Sequence, residues 1–123
     1  MIKPHVQYYH LHNTKAEQGS TSDDPYNCSI LVSAAIGATS SSGTNLFYFQ
    51  FVTPQFLLNT LEEDAFQLGR GLIIVPILYE NAVEKALERV MTICKGKSWD
   101  EVTQKLARYG RWEYEDAEFL LDS

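Results

Sequence analysis

The chain has 123 residues, 45% of them hydrophobic and 12% aromatic, with a formal charge of −6. A single domain of this length buries roughly two-thirds of the surface its unfolded chain exposes, so a core forms without disulfide or metal staples. The negative charge argues against a nucleic-acid binder, which needs a basic stripe, and against docking on an anionic membrane, while suiting solubility or a basic partner.

MIKPHVQYYHLH has an early lysine but no apolar run of signal-peptide length. The longest apolar stretch, LIIVPILY at residues 72–79, is far short of the roughly 20 residues of a membrane helix. A cytoplasmic chain is expected, with no cofactor. Cys28 and Cys94 show no CxxC spacing and are expected to be reduced and largely buried.

In chain order, strand formers predict a first strand over His5–His12. The polar stretch NTKAEQGSTSDDP reads as a long connection. Residues 25–61 then carry no charged side chain. Within them, Ile30, Val32, Ala34 and Ile36 alternate, as do Phe47, Phe49 and Phe51, which predicts two strands with one buried face. ATSSSGTN between them reads as a hairpin loop. Thr53-Pro54 predicts a helix start, with Thr as N-cap and Pro in the first turn, running over residues 54–61.

Gly69 and Gly71 lead into residues 72–79, a strand placed at an edge or bulge by Pro76, which has no N–H for a ladder. Asn81 and Glu84 have capping-box spacing, and Val83, Ala86, Leu87, Val90 and Met91 share one helical face, with Gly96 as terminator. Ser98 and Glu101 repeat the box before a stripe of Trp99, Val102, Leu106 and Tyr109, closed by Gly110. The expected architecture is a single α+β domain over residues 1–123, of order β-β-β-α-β-α-α, with helices packed on one face of an antiparallel sheet of about four or more strands.

Catalytic signals are weak. His10 and His12 lie two apart on one strand face, but no third metal ligand is evident. Acid–base hydrolysis by this pair, as in RNA cleavage, is a minor alternative. No GxSxG or phosphate loop occurs, and GRG at residues 69–71 reads as a turn. The chain is not expected to be an enzyme.

Acidic groups are the stronger signal. Glu62, Glu63 and Asp64 form one cluster, and after Arg111 come five carboxylates with no Lys or Arg. That ending, RWEYEDAEFLLDS, reads either as an amphipathic terminus with a solvated face or as a surface for a basic partner. Trp99 is expected in the core; Trp112 suits either core or interface. If the tail is extended, Trp112 and Tyr114 share a face, and Glu113 and Glu115 share the other.

Ile36-Gly37 at a strand end, the Phe47, Phe49, Phe51 alternation, Thr53-Pro54, the helix near Asn81 and KSWDEVTQKLARYGRWEYED at residues 97–116 occur here in one order. In these features, from about Asp24 to Asp116, the sequence resembles the bacterial immunity protein 8 family. That family accompanies polymorphic and contact-dependent growth-inhibition toxins. The resemblance implies a non-catalytic protein that binds the toxin domain encoded by its sister gene. Many such toxins are nucleases, hence basic, so a one-to-one complex with a basic toxin C-terminal domain is expected, with no nucleic acid and no membrane as partner. The candidate toxin contacts are Glu62, Glu63, Asp64, Trp112, Glu113, Tyr114, Glu115, Asp116 and Glu118. The alternative outside toxin biology is a small acidic adaptor domain that engages a basic partner.

Overall fold

Alternating apolar side chains organise the centre of the molecule. In the computed structural model, which describes residues 1–12, 24–38 and 43–113, they lie on antiparallel neighbours. β1 (His5–His12) pairs with β2 (Ser29–Gly37), and β2 with β3 (Thr44–Val52). Val32, Ala34 and Ile36 of β2 and Phe47, Phe49 and Phe51 of β3 are fully buried. Ala34 stands opposite Phe47 and Val32 opposite Phe49, so smaller side chains on one strand leave room for the rings of the next.

Thr53 and Pro54 start α1 (Pro54–Asp64) as the sequence predicts, with the Thr53 hydroxyl accepting from the Phe56 amide. The helix runs past residue 61 and stops where Ala65 turns left-handed (φ 69°), its N–H donating to Leu61 O. β4 (Leu72–Ile74) covers only the start of the expected strand over 72–79 and pairs parallel to β3, so the mostly antiparallel sheet is mixed. The cause is the intervening helix, a crossover that returns the chain in its original direction. A further short strand, β5 (Arg111–Trp112), pairs antiparallel with β3 at Phe47 and Tyr48. With β2 along one side of β3, β4 takes residues 50–52 and β5 residues 47–48 of the other, which keeps both strands short.

α2 (Glu80–Ile93) and α3 (Trp99–Leu106) cover the buried face. They contribute Val83, Leu87, Val90, Met91, Val102 and Leu106 to the core, whereas α1 contributes no side chain to it. The predicted Asn81–Glu84 box does not form: Tyr79 is the N-cap of α2 and makes no side-chain cap bond. Glu84 instead accepts from the Tyr9 hydroxyl at 2.8 Å, and Glu80 accepts from it at 3.1 Å, tying β1 to the helix. The Glu84 bond, ahead of desolvation and the Glu80 contact, pushes the phenol above the ordinary tyrosine range.

Nor does Gly96 end α2, which closes at Cys94; Gly96 forms a two-way backbone bridge with Ile2, at 2.7 and 3.0 Å. At Ser98 the forward half of the box forms, Glu101 N donating to Ser98 Oγ at 3.2 Å, while the Glu101 carboxylate accepts from the Lys97 amide, one residue before the cap, at 3.1 Å. Gly110 follows α3 in close contact with Phe49: a Cβ there would stand 2.6 Å from the ring. Cys28 and Cys94 are buried and unbridged.

Candidate functional site

Because side chains alternate along a strand, a row of buried residues implies an opposite row on the other face. The ladder aligns His10, Ser33, Tyr48 and Arg111 across four strands of that outer face. Beside them it aligns His12, Leu31, Gln50 and Leu72. The His10 and His12 rings meet edge to face at 4.5 Å, and His12 Nε2 lies 2.8 Å from Ser33 Oγ. The two histidines are thus together, as their spacing predicts. Among the described residues, no group of three or more His, Cys, Asp or Glu is arranged to hold a metal ion.

The chain leaving α1 passes over this face and encloses an open groove of ≈ 640 Å³. Its floor is Leu31, Tyr48, Gln50 and Leu72, and its rim carries Phe66, Leu68, Arg70 and Arg111. Phe66 and Leu68 are 70% and 75% exposed. Arg70 Nε donates to Ala107 O at 3.0 Å, fixing that guanidinium against the turn after α3. Gly71, at φ 81°, supplies a left-handed bend, and its carbonyl accepts from Gln50 N at 2.8 Å. No motif in the sequence marks the groove. Its available signal was AFQLGRG, where two large apolar residues flank Gln67 in a stretch too short to bury them.

The acidic candidates divide. Glu62 and Glu63 are exposed at the end of α1, next to the segment that forms the groove rim; Asp64 closes that helix, and its carboxylate lies outside the described structure. Trp112 turns inward and is half-buried, its ring stacked on Phe47 at 6.4 Å between centroids and 17° between planes. Glu113 accepts from Leu46 N at 3.0 Å, extending the β3–β5 pairing by one side-chain contact. Both residues therefore anchor the end of the sheet. Tyr114, Glu115, Asp116 and Glu118 lie outside the described residues.

The chain is a small acidic α+β domain with helices over one sheet face and a groove on the other, where Ser33 and Ala35 are nonetheless buried. Its family is more specific: the model for Immunity protein 8 matches residues 5–117, and the chain belongs to that family. Membership makes it an immunity protein, the counterpart of a toxin. No curated protein and no solved structure matches the chain. Among the described residues, no helix is long and apolar enough to cross a membrane.

Proposed function

We propose that this chain neutralises a cognate toxin domain in the bacterial cytoplasm by one-to-one binding, without catalysis of its own. The proposed toxin is a basic nuclease, an RNase by preference, of a contact-dependent growth-inhibition or related polymorphic toxin system. The supporting observation is charge: a chain of net −6 that exposes Glu62 and Glu63 together at one helix end. Carboxylates at an interface rim attract a basic partner over several ångströms and accelerate encounter more than they tighten the final complex. Glu115, Asp116 and Glu118 add negative charge beyond the described structure, with Tyr114 among them, and complete the proposed acidic surface. Glu113 and Trp112 serve it by holding the tail's origin at the sheet.

The test is coexpression with the toxin domain encoded immediately upstream, scored by cell growth and co-elution. Rescue with a one-to-one complex supports the proposal. Neither rescue nor complex favours an adaptor instead. Two further outcomes are expected. Reversing Glu62 and Glu63 together to Lys should slow association several-fold at low salt, with the difference shrinking as ionic strength rises. An unchanged rate at low salt would remove that cluster from the steering surface. His10→Ala and His12→Ala should each leave protection intact. Loss of protection by either variant while it remains folded would favour a histidine-based activity.

A further inference from the structure

A second concavity lies at the β1 margin of the sheet, where that strand meets α2. It encloses ≈ 240 Å³ and is lined by residues 6–9 of β1 and by Glu84, Leu87 and Glu88 of α2. Four consecutive strand residues share this one cleft, whereas neighbours in a regular strand point to opposite faces. The cause is a bulge: the register shifts between Val6 and Tyr8, so Gln7 is an extra residue, and Val6 and Tyr9 both reach the core although three positions apart. Bulges re-aim side chains at sheet edges and beside functional sites. Here the cleft combines buried Leu87 and half-buried Val6 with Tyr8, which is 64% exposed.

Its helix side carries carboxylates. Glu80, Glu84 and Glu88 stand four residues apart in one row along α2, and all three are exposed. Lys85 and Arg89 follow Glu84 and Glu88 by one residue, about 100° round the helix. The chain itself seats a lysine on this row: Lys3 Nζ meets Glu88 Oε1 at 2.9 Å. That bond, with a smaller attraction from His5, holds the Glu88 carboxyl below the ordinary carboxylate range. One turn away, Glu84 shares with Glu80 the hydroxyl of Tyr9, whose single proton serves one carboxylate at a time.

We propose that the cleft between β1 and α2 receives a lysine or arginine side chain from an exposed segment of the cognate toxin. Its charged end meets Glu84 and Glu80, and its stem packs between Tyr8 and the Val6–Leu87 base. Charge complementarity selects this occupant, because Glu84 and Glu88 line the cleft and Glu80 continues their row. The mixed lining selects it too: Lys and Arg join a cationic end to an apolar stem, and a tyrosine face attracts the cation. This inference rests on the immunity reading and deepens it by giving the complex a docking site. Glu62 and Glu63 then act on encounter, whereas the cleft acts on how long the complex lasts.

The experiment uses the full chain and the upstream toxin domain, with association and dissociation rates measured for wild type, Glu84→Lys, Glu80→Gln/Glu84→Gln and Tyr8→Ala. Since these side chains are exposed, each variant should melt with the wild type, which is checked first. Glutamine keeps an acceptor for the Tyr9 hydroxyl, so the double Gln variant reports the loss of charge even if Glu84→Lys proves less stable. Glu84→Lys should bind about 30-fold or more weakly, the double Gln variant about tenfold and Tyr8→Ala about fivefold, each chiefly through faster dissociation. Glu62→Gln/Glu63→Gln, with the same change in net charge, should alter association instead. Wild-type dissociation rates in both Glu84→Lys and the double Gln variant would overturn the cleft proposal while leaving immunity intact. Slower dissociation of Glu84→Lys would overturn it too, by showing an acidic occupant. Absence of any complex between wild type and toxin would remove the immunity reading, and this inference with it.

Discussion

Phe49→Ala should lower stability by about 3–5 kcal/mol, the range for removing a buried ring. For a chain of this length that corresponds to a fall in melting temperature of roughly 10–20 °C. Phe49 has no exposed surface, lies across the ladder from Val32, and has Gly110 against its ring edge. The Gly110 contact makes the mechanism separable from a general loss of apolar area. In the wild type, Gly110→Ala forces a methyl group to within 2.6 Å of the ring and should cost about 1–3 kcal/mol. In the Phe49→Ala background the obstructing atoms are gone, so the same change should cost little or restore some stability. Urea titrations of the four proteins give the coupling directly. Equal cost of Gly110→Ala in both backgrounds would mean that the ring is not what excludes the methyl group.

Thr53→Val is the second large expected loss, about 2–4 kcal/mol, although it barely changes the side chain's shape. Thr53 is fully buried, and its hydroxyl accepts from Cys28 N at 3.1 Å and from Phe56 N at 3.5 Å. Losing a Thr cap costs about 1 kcal/mol, and stranding a buried donor adds about 1–3 kcal/mol. Thr53→Ser keeps the hydroxyl and should recover most of the loss. Hydrogen exchange should become faster at the Cys28 and Phe56 amides in the Val variant and stay near wild type in the Ser variant. Equal unfolding midpoints for the wild type and the Val variant would show that the hydroxyl's bonds contribute nothing net.

What could be read from the sequence was local. The phenylalanine alternation located β3, Thr53-Pro54 and Ser98–Glu101 located two helix starts, and the bounds of β1 matched its expected range. Each rests on neighbours within a few residues. Asn81–Glu84 failed because the helix begins at Glu80 with Tyr79 as its cap, so Asn81 lies inside the first turn, and Glu84 accepts instead from the distant Tyr9 phenol. The parallel pairing of β4 follows from the helix that separates it from β3 in sequence. The lengths of β4 and β5 were not legible, because they depend on two segments sharing one edge of β3. For the candidate site, the exposed acids at Glu62 and Glu63 could be read from composition. Trp112 and Glu113 could not be assigned, since whether they face a partner or the sheet depends on Phe47 and Leu46, more than sixty residues away in sequence. The groove depends on a loop and four strands converging, which no local pattern encodes.

The alternation along β2 and β3 also bears on how such a protein can change over generations. Val32, Phe47 and Phe49 are committed to the interior, whereas Leu31, Tyr48 and Gln50, one position away, lie outside the core cluster. Substitutions away from core packing usually alter stability by only about 0.5 kcal/mol in either direction. Those three half-buried positions can therefore vary more freely than the core beneath them, whereas Ser33 and Ala35 on the same face are themselves buried. A lineage that must keep pace with a changing adversary gains from that arrangement, because new specificities can be sampled on a scaffold that continues to fold.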